Sequence, residues 1–432
     1  LKHNKYDIRI MDVRWGDCPR NALDINNPND KKIMDVIMKT PELEKQPDIY
    51  VDIRIPNEFE THGKFNIGIT AGVETNAVSQ KWLESCNKMD LVIVPSEHSK
   101  YGFVNSVYDK VQNMPDGQQQ KVGELKLEKP MEVLFEGANE DIYKPLDEND
   151  IDSEFLNMVN EIVSEDFAFL SVGQWGNGDY GNDRKDIGKL IKVFCESFSN
   201  KENMPALILK TNGATYSIMD REECIHKIKK VKDIFPDVNI PNIYLLHGSL
   251  SNKEMNYLYN HPKVKAMVSF THGEGFGRPL LEATMTGLPV IASNWSGQVD
   301  FLDTSKSLLL PGKLNQVPES AVWDSIIIKE SQWFTVDESQ ATKALIYTYK
   351  NYEDVKSKAD DLFKINSQKF TLNDMTTKLD EIMGKYISDM PTQVGLKLPK
   401  LKKLKKDDNK KVVVPPSAIK LPKLKKLTGE QV

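Results

Sequence analysis

The chain has 432 residues, of which 39% are hydrophobic and 8% aromatic. This length and composition predict two or three folded domains and exclude a globally disordered chain. The net charge of −6 is uneven, because residues 396–432 carry +9 and the remainder carries −15. The acidic body argues against a nucleic-acid-binding face on the folded part.

The cysteines are widely spaced and fit neither a metal-ligand pattern nor a disulfide scaffold. They are Cys18, Cys86, Cys195 and Cys224. We therefore expect reduced, buried thiols in a cytoplasmic protein. No apolar run reaches the roughly 18 residues that a membrane-spanning helix needs. The chain starts at Leu1 without a visible leader, and we expect its first residues to be missing.

The first third of the chain alternates short apolar runs with segments of helical spacing. The predicted strands are Asp7–Val13, Asp48–Ile55, Phe65–Thr70, Leu91–Pro95 and Met131–Gly137, and the predicted helices are Lys31–Thr40 and Ala77–Met89. This order indicates a mostly parallel sheet with helices on its faces. The weakly patterned stretch Leu146–Phe167 is interpreted as a hinge into a second domain.

The same alternation restarts after that hinge. The predicted strands are Phe167–Trp175, Pro205–Lys210, Asn242–Gly248, Ala266–Phe270 and Pro289–Ser293, and the predicted helices are Ile187–Phe198, Arg221–Phe235, Asn252–Tyr259 and Pro279–Gly287. Trp323–Tyr386 is predicted to be mainly helical, with its last helix crossing back to the first domain. Two such halves predict two doubly wound α/β domains that face a cleft, with ligands at the carboxyl ends of the strands.

The segment His272–Ala283, HGEGFGRPLLEA, concentrates residues suited to an anionic ligand that carries hydroxyls. Its glycines and glutamates are Gly273, Gly275, Gly277, Glu274 and Glu282. The glycines permit a tight turn, and a helix starting at Pro279 would offer free N–H groups to a phosphate. The glutamates can accept hydrogen bonds from hydroxyls on either side of that anion, as a nucleotide-sugar requires. A glycine-rich turn with two surface glutamates is the plain structural alternative.

This segment closely resembles the E-x7-E region of the retaining GT-B glycosyltransferases of family 4, or group 1, type. The resemblance, which covers about residues 45–385, implies that Glu282 binds the donor ribose and Glu274 lies by the donor sugar. It implies that the backbone of Gly275-Phe276-Gly277 lies near the diphosphate. The GT-B fold it implies has two doubly wound Rossmann-like domains facing a cleft. Residues 1–150 would form the acceptor-side domain without its first strand, 151–365 the nucleotide-sugar-binding domain, 366–390 a closing helix, and 391–432 a disordered basic tail.

Relatives clamp the diphosphate with an arginine after a Gly and with a nearby lysine. Here Gly173 is followed by Gln174, and the nearest basic pair is Arg184-Lys185. Because negative charge develops on the leaving diphosphate, cations are needed opposite it. The resemblance therefore assigns that catalytic role to Arg184 and Lys185. It assigns further donor contacts to Gly173, Lys210, His247 and Gly248.

In the first half, Glu74 occupies the region where many relatives carry a histidine facing the reacting sugar. It would hold an acceptor hydroxyl or act as a general base, unless it only belongs to a helix N-cap region. His62 and His98 are expected to be surface histidines. Asp300 replaces a glutamate usual in the family and is expected to be structural.

The resemblance implies a hexosyltransferase-type enzyme that moves a sugar from a nucleoside diphosphate sugar with retention of configuration. The acceptor would be a carbohydrate, a lipid-linked molecule or a protein. No cofactor and no metal are expected. The alternatives are a catalytically inactive GT-B binding protein, which the departure at Gln174 favours, and a nucleotide-sugar epimerase on the same fold. The intact pair of Glu274 and Glu282 favours a transferase.

The tail repeats one motif, because LKLPKLKKL at Leu396–Leu404 recurs as IKLPKLKKL at Ile419–Leu427. Prolines break helices and the lysines repel one another, which predicts disorder over 391–432. The alternative is a docking segment for an anionic partner or membrane surface through residues 396–427, since leucines interleave with lysines. That alternative would place the protein peripherally at a membrane.

Overall fold

The computed structural model describes residues 5–13, 22–43, 45–114, 119–176 and 180–387. The elements of the first half are α1 Pro28–Met34, β1 Ile49–Ile53, β2 Phe65–Ile69, α2 Gln80–Cys86, β3 Leu91–Val94, α3 Glu97–Asn105, β4 Tyr108–Asn113, β5 Gln119–Leu125 and β6 Met131–Val133. The predictions for Cys18 and for the tail at 391–432 lie outside the described residues.

The second half begins with α4 and ends with three consecutive helices. Its elements are α4 Ser153–Ile162, β7 Ala168–Val172, α5 Ile187–Phe198, β8 Ala206–Lys210, α6 Ile218–Lys232, β9 Ile243–Leu246, α7 Asn252–Asn260, β10 Val264–Ser269, α8 Arg278–Thr284, β11 Val290–Ser293, β12 Leu308–Leu310, β13 Gly312–Gln316, β14 Gln332–Val336, α9 Glu338–Lys350, α10 Tyr352–Asn366 and α11 Leu372–Ile387.

Two parallel sheets carry the fold. The first has the strand order β1-β2-β3-β6, and the second has the order β12-β11-β10-β7-β8-β9. In β8, Ala206 and Ile208 belong to one hydrophobic core, and Leu207 and Leu209 belong to another. Because neighbouring strand residues point to opposite faces, this sheet is buried on both sides, as a doubly wound sheet requires.

Most predicted elements of the second half are confirmed, and α5 has the predicted bounds. The strand predicted at Asp7–Val13 is wrong, because only Ile10 pairs, in an isolated bridge to Ile37. The helix predicted over Lys31–Thr40 ends at Met34. The supposed hinge contains α4, whose N-cap Asp152 accepts from two backbone N–H groups. The mainly helical stretch after Trp323 also contains β14.

The last helix returns to the first half, as predicted. Lys385 and Tyr386 of α11 contact Glu132 of β6, with donor–acceptor distances of 2.5 and 2.7 Å. The segment before α11 also pairs with the segment after β6, because Ala138 N–H donates to Phe370 O and Leu372 N–H donates to Ala138 O. Two covalent connections therefore cross between the halves side by side.

Residues Leu1–Tyr386 form one compact unit that contains both sheets. The domain boundaries near 150 and 365 remain predictions. Cys86, Cys195 and Cys224 are free and buried, as expected. No helix in the described ranges is both long and apolar enough to cross a membrane.

Candidate active site

The carboxyl ends of β10, β7, β8 and β9 lie side by side in the second sheet. Adjacent strands are about 4.8 Å apart, so the four loops that follow them line an edge roughly 14 Å long. The sequence placed its main site residues in these loops. They are Glu274 after β10, Arg184 and Lys185 after β7, Lys210 at the end of β8, and His247 after β9.

The glycine-rich loop after β10 packs directly against the first half. A Cβ on Gly273 would collide with the carbonyl oxygen of Glu74, and a Cβ on Gly275 would collide with that of Ala71. The hydroxyl of Ser96 donates to Gly275 O at 2.5 Å, which fixes the same contact from α3. Close backbone approach between the two halves therefore explains glycine at these positions.

Gly277 and Phe276 complete that loop. Gly277 is the N-cap of α8 and has a φ of 99°, a conformation that favours glycine. Phe276 is buried and its ring packs on Phe301. That these two residues lie near a diphosphate remains a prediction. Because the ring of Phe276 is buried, only its backbone could make such a contact.

Four charged side chains meet between the halves. Lys185 Nζ donates to Glu274, and Arg184 lies 2.6 Å from Glu74 and 3.9 Å from Glu274. Burial alone would raise the pKa of Glu274, but the cations of Lys185 and Arg184 outweigh it and hold that pKa below its ordinary value. The predicted catalytic residues of both halves thus converge on one cluster.

The loop that carries the cations is anchored by its backbone. His272 N–H donates to Arg184 O at 2.9 Å. Asp186, which follows Lys185, is fully buried and adopts a left-handed conformation with a φ of 51°. Burial raises the pKa of Asp186 to about 6 although Lys189 lies 2.8 Å away. Strain and buried charge of this kind concentrate at functional sites.

Glu282 lies apart from this cluster. Its carboxylate accepts from Tyr259 OH at 3.3 Å and lies 3.1 Å from Arg278 Nε. Burial raises the pKa of Glu282 to about 6, against the opposing effects of Arg278 and of Tyr259. The two glutamates of the motif therefore occupy opposite electrostatic environments, because only Glu274 has a buried cation beside it.

The remaining predicted donor residues form a platform at the ends of β7, β8 and β9. Gly173 N–H donates to Lys210 O at 3.2 Å, and Lys210 Nζ donates to Gly248 O at 2.6 Å. Gln174, where the resemblance led us to expect an arginine, donates to Gly213 O at 2.6 Å. His247 Nε2 lies 2.8 Å from Asp220. These side chains hold the loops together.

The expectations for Asp300, His98 and His62 have clear outcomes. Asp300 is structural, since its carboxylate accepts from Glu97 N at 2.9 Å and joins the second half to the start of α3. The expectation of a surface position is wrong for His98. Its ring lies edge-on to Trp295, and burial lowers its pKa to about 4. His62 is half exposed, as expected.

Sequence reasoning missed Ser96 and Asp220. Ser96 is recognisable only as the N-cap of α3, and Asp220 only as an acidic residue in the first turn of α6. Neither pattern indicates that the side chain reaches another loop. Within the described part of the chain, no three His, Cys, Asp or Glu side chains form a group that could hold a metal ion.

Solved structures with the same architecture include three at low sequence identity. A sucrose-phosphate synthase from Thermosynechococcus elongatus is 12% identical, with 79% of this chain and 74% of that chain covered and a TM-score of 0.53. An alpha,alpha-trehalose-phosphate synthase (UDP-forming) from Burkholderia xenovorans, in complex with glucose-6-phosphate, is 10% identical with the same coverages and TM-score. A glycosyltransferase from Rickettsia africae ESF-5 is 15% identical, with coverages of 85% and 89% and a TM-score of 0.52.

The chain has the GT-B fold, as the sequence predicted. Residues 226–315 match the model of the family described as glycosyl transferases group 1. That range contains His247, the whole of His272–Ala283, and Asp300. No curated protein sequence matches the chain. The group 1 part of the resemblance is thereby supported, whereas retention of configuration and membership of family 4 remain predictions.

Proposed function

We propose that this protein is a glycosyltransferase that moves a sugar from a nucleoside diphosphate sugar to an acceptor with retention of configuration and without a metal. One observation carries the proposal. Four charged side chains meet at the carboxyl ends of β7 and β10, where the two halves are in contact. They are Arg184, Lys185, Glu274 and Glu74. This is the edge where ligands of open parallel sheets bind.

In this proposal the two cations exchange partners when the donor binds. Arg184 and Lys185 leave the carboxylates of Glu74 and Glu274 for the diphosphate, whose charge grows as the sugar departs. The freed carboxylate of Glu274 then accepts from donor-sugar hydroxyls, and Glu74 from the acceptor hydroxyl. Glu282 accepts from the ribose. Exclusion of water by the close contact between the loops protects the activated donor from hydrolysis.

The test uses the full chain with UDP-, GDP- and ADP-sugars and a panel of sugar acceptors. We expect release of the nucleoside diphosphate, and an anomeric proton in the product with the configuration of the donor. Glu282→Ala should weaken donor binding, whereas the exposed Glu222→Ala should leave it unchanged. Absence of nucleotide release and of donor binding across the panel would contradict the proposal.

A catalytically inactive GT-B binding protein is the second candidate. The observation that favours it is Gln174, which uses its amide on the backbone of Gly213 where relatives offer a cation. Such a protein would bind a nucleoside diphosphate sugar without releasing the nucleotide. An epimerase would return a sugar-nucleotide altered at one carbon, so the same assay separates all three.

A further inference from the structure

A buried carboxylate on α6 ties two strand-end loops together. Asp220 is 8% exposed and accepts from three consecutive backbone N–H groups, at 2.9 Å from Gly213, 2.7 Å from Ala214 and 3.2 Å from Thr215. Its Oδ2 also lies 2.8 Å from Nε2 of His247, in the loop after β9. One side chain therefore sets the geometry of the loops after both β8 and β9.

This contact fixes which nitrogen of His247 carries the proton. Burial raises the pKa of Asp220, but the hydrogen bonds from His247 and from the backbone lower it to about 2, so the group is ionised at neutral pH. An ionised carboxylate only accepts, and Nε2 must therefore donate. In the neutral ring Nδ1 is then an acceptor, and among the described residues it makes no hydrogen bond.

The surroundings of His247 suit one end of an elongated ligand. The exposed ring of Tyr216 lies edge-on to the imidazole, with ring centroids 6.2 Å apart. Lys210 is held by Gly248 O and lies 6.0 Å from the Tyr216 ring centroid. The end of β9 lies two strand spacings, about 10 Å, from the end of β7, whose loop supplies Lys185. A nucleoside whose diphosphate meets that lysine reaches this far.

We propose that Asp220 is a positioning residue for the nucleoside end of the donor. It presents Nδ1 of His247 as a fixed acceptor for an N–H or O–H group of the nucleoside. The inference rests on the proposed function, since it takes the ligand to be a nucleoside diphosphate sugar. It adds a residue in α6 to the site, and it assigns His247 a defined hydrogen-bonding role.

The decisive variant is Asp220→Asn. Asparagine keeps the volume and keeps an oxygen for Ala214 and Thr215, but it turns an amide N–H toward His247 and gives up the hydrogen bond from Gly213 N–H. The imidazole must then accept at Nε2, and Nδ1 becomes a donor. His247→Phe removes the acceptor and keeps a ring, and Glu222→Gln makes the same carboxylate-to-amide change on the exposed side of α6.

Two kinds of ligand distinguish a positioning role of Asp220 from a general loss of folded structure. UDP, GDP and ADP contain a nucleoside, whereas inorganic pyrophosphate carries only the charge that Arg184 and Lys185 meet. We expect Asp220→Asn and His247→Phe to weaken binding of the preferred nucleotide about tenfold, as one lost buried hydrogen bond would. Pyrophosphate affinity of both variants should stay close to that of the unmodified protein and of Glu222→Gln, and the unfolding temperature of Asp220→Asn should fall only by what the lost Gly213 hydrogen bond costs.

Each other outcome has one meaning. If the unmodified protein binds none of the three nucleotides, the proposed function fails first. If it binds one of them and Asp220→Asn and His247→Phe bind it equally well, the positioning role is refuted while the proposed function stands. Equal losses for the nucleotide and for pyrophosphate, with a matching fall in unfolding temperature, would also refute it, because they reveal a purely structural role.

Discussion

Replacing Glu282 by glutamine is expected to stabilise the protein at neutral pH. The carboxylate is 6% exposed and has no buried cation beside it, since Arg278 is largely exposed. Burial raises its pKa from 4.5 to about 6. A difference of about 1.5 pKa units corresponds to roughly 2 kcal/mol of stability lost through ionisation. Glutamine keeps an acceptor for Tyr259 OH and carries no charge to bury.

The pH dependence of unfolding shows whether ionisation of Glu282 stabilises or destabilises the folded protein. Because the folded-state pKa of Glu282 lies above the unfolded value, its favourable contribution is fully present below pH 4.5 and is lost as the pH rises through about 6. Thermal unfolding of Glu282→Gln and of the unmodified protein should therefore coincide near pH 4 and separate by roughly 4–8 °C at pH 7, if the second half unfolds as a unit. In the proposed function the same substitution weakens ribose binding, so stability and donor affinity should change in opposite directions.

Glu274→Gln is the matched control with the opposite expectation. Its removal leaves Lys185 buried without its partner, which costs about 3 kcal/mol or more at pH 7. The reasoning is refuted if Glu282→Gln lowers the unfolding temperature at pH 7, if the gain persists undiminished at pH 4, or if both glutamines have the same effect.

Two further substitutions test the site, and one deletion tests the tail. Gly275→Ala forces a Cβ onto the carbonyl oxygen of Ala71 and should reduce sugar transfer at least tenfold, whereas Gly123→Ala, with no atom near the new Cβ, should leave the rate unchanged. Equal rates would contradict the proposed role of the close contact between the loops. Arg184→Gln should weaken pyrophosphate binding about tenfold by calorimetry while the exposed Arg221→Gln does not, and identical affinities would remove Arg184 from the anion site. Deleting residues 391–432 should abolish binding to anionic vesicles if the tail docks there; unaltered binding excludes that docking.

Much of the second half was predictable because its strands are buried on both faces. Ala168–Val172 and Ala206–Lys210 are nearly continuous apolar runs, and α5 shows clear helical spacing. The elements of the first half were harder to predict from the sequence. The β4–β5 hairpin is polar and lies outside the parallel sheet, so it shows no buried pattern. Asp7–Val13 has a strand composition but pairs only at Ile10.

The site was predictable where its functional residues lie close together in one loop. Glu274 and its glycines stand in a single segment, and the rule that ligands bind at strand carboxyl ends brings Lys185 to it. The Asp220–His247 pair was not predictable, because its members are 27 residues apart on a helix and a loop. The contact of Gly275 with Ala71 likewise depends on how two halves dock, which local pattern does not encode.

The paired crossings between the halves have a mechanical consequence. The segments at Ala138 and Thr371 run side by side, hydrogen-bonded through Ala138, and a Cβ on Gly137 would collide with Thr371. Two linked connections resist torsion far more than a single one does, so bending about the line through them is the low-cost relative motion. A joint of this kind would return the loops around Gly275 to the same register against Ala71 after any opening between the halves, so that the four charges would meet again.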